Sequence, residues 1–253
     1  MIYADLHMHT AFCDGKDTPR DMVEAAISKG LKTVGVCVHS YMDFYESWCV
    51  KKECVEEFVS EMQALKEEYK GKINVLCGLE KDFYSNQSRD GFDYVIGSVH
   101  YFYGNCVLST VDENPKAFED SVKKCFDGDY ILAAENYYQA VGEVVEKTNA
   151  DIIGHFNLVE KFNENNRYFN PLSPRYVKAW QKAADKLLLT DKPYEINVGG
   201  ISRGWIKQPY PAQNMFKYLK ERGAKFILSS DAHAKENVAF QFKKWNEDYT
   251  TGE

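Results

Sequence analysis

Near the start of the chain, Asp5-Leu6-His7-Met8-His9 alternates polar and apolar side chains. Strand side chains point alternately to opposite faces, so a strand here would set His7 and His9 side by side with Asp5 behind them, and turn Leu6 and Met8 the other way. Two imidazoles and a carboxylate on one face are half of a divalent-metal site. An isolated His-x-His on an exposed edge strand would need no such role, and the rest of the chain decides between the two readings. The chain has six histidines. His39 closes the apolar run from Thr33, His100 the run from Asp93, His155 the run from Asp151 and His233 the run from Lys225. Glu80 ends the run from Ile73, and Asp231 precedes His233 by two residues. One imidazole at the end of an apolar run is ordinarily a hydrogen-bonded core group. All six together, with two carboxylates in matching places, supply ligands for about two or three divalent ions. Imidazole suits Zn, Fe and Mn, and no thiolate cluster competes. Glu80 is the natural bridge, because its two oxygens can hold two ions ~3.5–4 Å apart with a hydroxide between them as nucleophile.

These residues need elements to carry them. Thr18-Pro19-Arg20-Asp21 reads as a helix start, with Thr as cap, Pro at the first position and Asp three after the cap, and the helix runs to Gly30. Residues 52–69 place Val55, Phe58, Val59, Met62, Leu65 and Tyr69 at helical spacing, which is a core-facing stripe. Further helices are expected over about 115–126, 129–148, 173–189 and 211–222, and from about Lys235. Seven short apolar strands, over 5–9, 33–39, 73–80, 93–100, 151–155, 194–198 and 225–233, alternate with them. Such alternation means parallel strands joined by helical crossovers. An open sheet would spread the histidines along a line, whereas a closed α/β barrel gathers the C-terminal ends of its strands around one mouth.

A length of 253 residues suits one such domain, spanning 1–253. The net charge of −7 counts against non-specific nucleic-acid binding and against an anionic membrane surface, and no stretch approaches the ~20 apolar residues of a membrane span. Seven scattered cysteines without paired spacing, and no apolar leader ahead of residue 5, point to a reducing cytoplasm. Cys37, Cys77 and Cys106 sit in apolar runs and read as small core residues, while Cys13 beside the His-x-His strand is left without a role.

Together, Asp5-x-His7-x-His9, the His39 strand end, Gly78-Leu79-Glu80, Gly97-Ser98-Val99-His100, Gly154-His155 and Ser229-Ser230-Asp231-Ala232-His233 resemble the motifs of the polymerase and histidinol phosphatase (PHP) superfamily. The stretch from His7 to Gly15 and the last motif look most like its stand-alone histidinol-phosphate phosphatases. The resemblance implies a distorted (β/α)7 TIM-like barrel with a trinuclear metal centre. It assigns His7, His9, Glu80 and Asp231 to one ion, Glu80, His100 and His155 to a second, and Asp14, His39 and His233 to a third. It also makes Asp231 or His233 the proton carrier.

Three divalent ions would bring six positive charges against the carboxylates of Asp14, Glu80 and Asp231, which makes a pocket for a compact dianion inside an acidic protein. Arg203 and Lys161 are the candidates to complete a phosphate cage, with Arg167 behind them. Tyr41-Met42-Asp43-Phe44-Tyr45, after His39, offers the aromatic and acidic surface that a cationic leaving group would want. The expected activity is hydrolysis of the small phosphomonoester L-histidinol phosphate, with no nucleic-acid or membrane partner. Two alternatives remain: a phosphoesterase of the same superfamily acting on nucleotides or nucleic-acid ends, and a non-catalytic metal-binding module.

Overall fold

A computed structural model of the chain describes residues 4–44 and 47–250. In chain order the first half runs β1 (Ala4–Asp5), α1 (Pro19–Ser28), β2 (Thr33–His39), α2 (Val55–Glu68), β3 (Asn74–Asp82) and β4 (Tyr94–Ser98). A hairpin of β5 (Tyr101–Gly104) and β6 (Val107–Thr110) follows, then α3 (Pro115–Phe126), α4 (Tyr130–Val141) and α5 (Val144–Thr148). The second half runs β7 (Ile152–Ile153), α6 (Pro174–Leu188), β8 (Tyr194–Asn197), α7 (Gly199–Ser202), α8 (Gln213–Glu221), β9 (Phe226–Ser229) and α9 (Phe242–Thr250).

The sheet has seven parallel strands in the order β1-β2-β3-β4-β7-β8-β9. Its ends approach closure through a parallel bridge between Met8 and Ala232, with His9 N–H donating to the Ala232 carbonyl at 2.8 Å. On its other side Met8 accepts from Cys37 N–H at 2.8 Å. The result is the expected TIM-like α/β barrel, nearly closed and wrapped by helices.

Side-chain alternation sorts each strand between the barrel interior and the helical coat. On β2, Val34, Val36 and Val38 pack with Met22 and Val23 of α1 and with Phe58 and Met62 of α2, while Cys37 packs inside with Tyr94, Ile96 and Ile152. His39 follows Cys37 by two, so it shares the inner face one layer higher. Glu80 on β3 and Ser98 on β4 reach that layer by the same step. The lower layer is apolar and is filled by Tyr94, whose hydroxyl donates to the Leu6 carbonyl at 2.5 Å. Its ring crosses Gly35 and Gly78, where a Cβ would stand 2.1 and 2.4 Å from the Tyr94 oxygen, so both positions need glycine for close approach.

The expected helix start at Thr18 is present as a capping box with Asp21. Four expectations need correction. The stretch 129–148 is two helices, α4 and α5, interrupted at Gly142 and Glu143. The last helix begins at Phe242, because Lys235–Asn237 forms only a short 3₁₀ turn. The hairpin of β5 and β6 stands where the sequence reading expects no element, and its local trace is an aromatic strand before the Gly104-Asn105 turn. Asn105 and Cys106 both take positive φ at its tip, which leaves Cys106 exposed and outside any core.

The Tyr94 plug makes a direct test of interior packing. Gly35→Ala should cost about 1–3 kcal/mol, as overpacking of a filled interior does, and should lower the urea midpoint with an unchanged slope.

Candidate metal centre

Glu80 sits near the end of β3, 1% exposed, with a different set of imidazoles at each carboxylate oxygen. Its Oε2 lies 3.2 Å from His7 Nε2, 3.2 Å from His9 Nε2 and 2.8 Å from His39 Nδ1. Its Oε1 lies 2.9 Å from His155 Nε2 and 3.4 Å from His100 Nε2, and accepts from the Ser98 hydroxyl at 2.7 Å. Asp231 Oδ1 faces His7 Nε2, His9 Nε2 and His233 Nδ1 at 3.8, 3.6 and 3.6 Å. Towards solvent, Asp14 reaches His39 Nε2 at 3.4 Å and His233 Nε2 at 3.2 Å. All nine residues expected as ligands from the sequence therefore meet in one cluster.

Their grouping is close to the expected one and differs in detail. Ligand atoms of His7, His9 and Glu80 converge, as do those of His39, Glu80 and His100, and those of His9, Asp14, His39 and His233. His9 and His39 each face two groups, where the family pattern gave each a single ion. The donor set fits divalent cations on a physical ground. Glu80 Oε2 and His39 Nδ1 are buried and 2.8 Å apart, yet neither makes a hydrogen bond of good geometry among the described residues. Buried donor atoms that converge without hydrogen-bond geometry suit a shared cation.

Charge within the cluster follows the same logic. Burial opposes ionisation of Glu80, but His7, His39 and His100 outweigh it and hold the carboxyl well below its ordinary range. Asp231 is likewise held well below its ordinary range against burial, chiefly by Arg203. Burial, reinforced by the charges of His39 and His233, pushes His9 down to about 3. Burial also acts to lower His39, yet Glu80 and Asp14 prevail and lift it to about 9. Cys13, whose Sγ is 3.5 Å from His9 Nδ1, is pushed up to about 12 by burial and by Asp14. It stays a thiol beside the ring and supplies no thiolate.

Asp5 does not join the face of His7 and His9 as the alternation suggested. Regular pairing of the first strand ends at Asp5, and its carboxylate accepts from Ser230 N–H and Ala239 N–H, each at 3.0 Å. It fastens the turn that presents Asp231, a residue with φ of +48°. A non-glycine residue in that region is strained. The turn is possible because Gly199 lies beneath, where a Cβ would stand 2.6 Å from Asp231 Oδ2.

Arg203 donates from Nη2 to Asp231 Oδ2 at 3.0 Å and from Nη1 to the Asp231 carbonyl at 3.0 Å and His233 Nδ1 at 2.8 Å. Lys161 donates to the carbonyl and carboxylate of Asp112 at 2.8 and 3.1 Å. Both line a cleft of about 330 Å³ above the histidines, with Trp48, Asp112 and Glu113 on other sides. Arg167 is elsewhere, ion-paired with Glu119 on the surface. The segment expected to receive a leaving group is also elsewhere. Tyr41 to Phe44 line a separate hollow and Tyr45 lies outside the described residues, while Trp48 stands edge-on to His39 at 4.8 Å and takes the place they were expected to fill.

Comparison with known proteins bears on this geometry directly. A family model described as the PHP domain matches residues 5–197. The chain belongs to the PHP domain family. A "probable histidinol-phosphatase" of Deinococcus radiodurans is 31% identical over 94% of this PHP chain and 89% of its own length. A Listeria monocytogenes structure assigned as the histidinol phosphatase HisK superposes with a TM-score of 0.85 at 17% identity, covering 96% of this chain and 99% of that one. The Lactococcus lactis histidinol phosphate phosphatase, solved with zinc, L-histidinol and phosphate, superposes at 0.62 with 20% identity and coverages of 95% and 91%. Both likenesses establish the PHP barrel as the fold.

The sequence reading missed Asp82 and Glu195. Asp82 Oδ2 is 3.1 Å from His100 Nδ1, and Glu195 Oε1 is 2.6 Å from His7 Nδ1. A carboxylate between the apolar residues Tyr194 and Ile196 of a strand was the available signal for Glu195.

Metal content is the corresponding test. Glu80→Ala should lose more ions per chain than Asp14→Asn, by elemental analysis after dialysis. Below pH 9 a metal ion at His39 must displace a proton, so affinity of the Asp14 group should climb between about pH 6 and 9. Equal ion content in both variants, or affinity flat across that range, would contradict the geometry.

Proposed function

We propose that this PHP domain chain is a phosphomonoesterase that hydrolyses L-histidinol phosphate to L-histidinol and phosphate, and that residues 1–253 act as one domain in the cytoplasm. The observation that carries the reading is the convergence of five imidazoles on the two oxygens of Glu80 at the floor of a cleft edged by Arg203 and Lys161. The named relatives support the substrate, and the zinc in the Lactococcus lactis enzyme supports a transition-metal cofactor.

In this reading the nine clustered residues hold two to three divalent ions, which when bound would lower the pKa of water and offset charge on the phosphoryl oxygens. Arg203 uses three contacts on Asp231 and His233. That leaves about two of its five N–H groups for phosphate oxygens. Lys161, paired with Asp112, supplies a second positive charge at the cleft. Asp231, ionised beside Arg203, would accept the proton from the attacking water and, once protonated, pass it to the departing alkoxide, with His233 3.6 Å away.

Phosphate affinity is common to every monoester, so discrimination has to come from the leaving group. Glu113 edges the cleft and makes no ion pair among the described residues, and Trp48 offers an aromatic wall. An amine and an imidazole would be received between a carboxylate and an indole. A mononucleotide places further anionic or neutral groups there and gains less.

Two measurements follow. In a panel with sugar phosphates, nucleoside monophosphates and an aryl phosphate, L-histidinol phosphate should have the highest kcat/KM by at least about a hundredfold, roughly 2.7 kcal/mol. Equal efficiency on a nucleotide would overturn the substrate and leave the metal centre standing. Arg203→Ala should lower kcat/KM by about tenfold to a thousandfold with ion content unchanged. Loss of an ion from that variant would make Arg203 a support for Asp231 instead of a phosphate contact.

A further inference from the structure

Strand β8 contributes none of the nine clustered residues, yet Glu195 and Asn197 on it are buried polar side chains turned towards the centre. Glu195 Oε1 stands 2.6 Å from His7 Nδ1. Its Oε2 accepts from the His155 backbone N–H and from Asn197 Nδ2, each at 3.2 Å. Among the described residues no lysine or arginine pairs with it. The orientation of the Asn197 amide is itself fixed, because Gly199 N–H donates to its Oδ1 at 2.9 Å. Nδ2 therefore faces Glu195 and, at 3.5 Å, Asp231 Oδ2.

A neutral imidazole has one N–H, and the nitrogen that carries it cannot bind an ion. Glu195 Oε1, 2.6 Å from Nδ1, is placed to hold the His7 proton there and leave the lone pair on Nε2, which is 3.2 Å from Glu80 Oε2 and 3.1 Å from His9 Nε2. The same carboxylate pins the backbone that presents His155. Through Asn197 the strand also reaches Asp231, at the carboxylate oxygen that accepts from Arg203. Three side chains on three different segments are thus set from one strand.

We infer that β8 is the positioning strand of the metal centre: Glu195 fixes the tautomer and aim of His7 and the placement of His155, and Asn197 orients the Asp231 carboxylate. The inference rests on the metal reading of the site and not on the identity of the substrate. A purely structural role, tying β8 to its neighbours, would show as lost stability with or without metal. A positioning role shows in metal retention.

The test is chelator titration of the metal-loaded full chain. Glu195→Gln keeps the size and an oxygen for the His7 N–H but removes the charge. It should release one ion at about tenfold to a hundredfold lower chelator concentration than the wild type, while the melting temperature of the metal-stripped protein does not fall. Glu195→Asp, which keeps the charge, should recover part of that retention. Should Glu195→Gln fail to fold, Asn197→Ser has to show the loss of retention in its place. Wild-type retention in whichever of these variants folds, or a fall in metal-free stability with retention unchanged, overturns the inference. A wild-type chain that holds no ion overturns the metal reading as well.

Discussion

A carboxylate buried among five imidazoles, with no lysine or arginine pairing it among the described residues, is tolerable only where positive charge is brought to it, and Glu80 is such a group. Protons can supply that charge in part, and the rise of His39 to about 9 is the sign of it. They do so poorly, because protonated rings crowd one another: the same His39 helps to push His9 down to about 3. Divalent ions solve both problems, since they bring charge to Glu80 and let every ring stay neutral. The geometry around Glu80 is in this sense a demand for metal made by the fold.

Meeting that demand fixes much of the architecture. The ligands must come from several strands, so those strands must converge, and parallel strands in a barrel converge at their C-terminal ends. The layer below has to be dry and filled to keep water away from the carboxylates, and Tyr94, Cys37, Ile96 and Ile152 fill it. Gly35 and Gly78 are the local consequence, since the Tyr94 ring occupies the space a Cβ would take at each. The three outward valines of β2 answer to helix packing, and its one histidine answers to the site.

How far the sequence disclosed this depends on which physical signal each residue leaves. His39, Glu80 and His155 follow apolar runs, so the change from apolar to polar marked a member of the cluster at or near a strand end. The barrel was legible from the same runs. Asp5 was misread because alternation predicts a face but not where pairing stops, and the chain leaves the regular ladder after Asp5 to cap the Asp231 turn instead. Glu195 left a weaker trace, a single carboxylate within a strand whose end carried no ligand. The hairpin at Tyr101 to Thr110 was hidden by its setting, because a helix-alternating reading has no place for an antiparallel insert. With it went the true cleft wall, since Asp112 and Glu113 follow directly from that hairpin.

Burial grades the centre from inside to outside. His7 and His9 are sealed, whereas the side chains of Asp14 and His233 are 32% and 20% exposed. Inner ligands lose solvent in folding whether or not an ion arrives, so an ion there repays a desolvation cost already incurred, and its binding energy is also folding energy. Outer ligands keep water until an ion displaces it, and Arg203 places a fixed positive charge 2.8 Å from His233 Nδ1. An ion in the outer group therefore gains less from the fold and exchanges more readily with solvent. An ion in the inner group would consequently tie metal to stability through linkage, the native state gaining about RT ln(1 + [L]/Kd), while one in the outer group, open to the cleft, would instead be coupled to the arrival and departure of an anionic ligand.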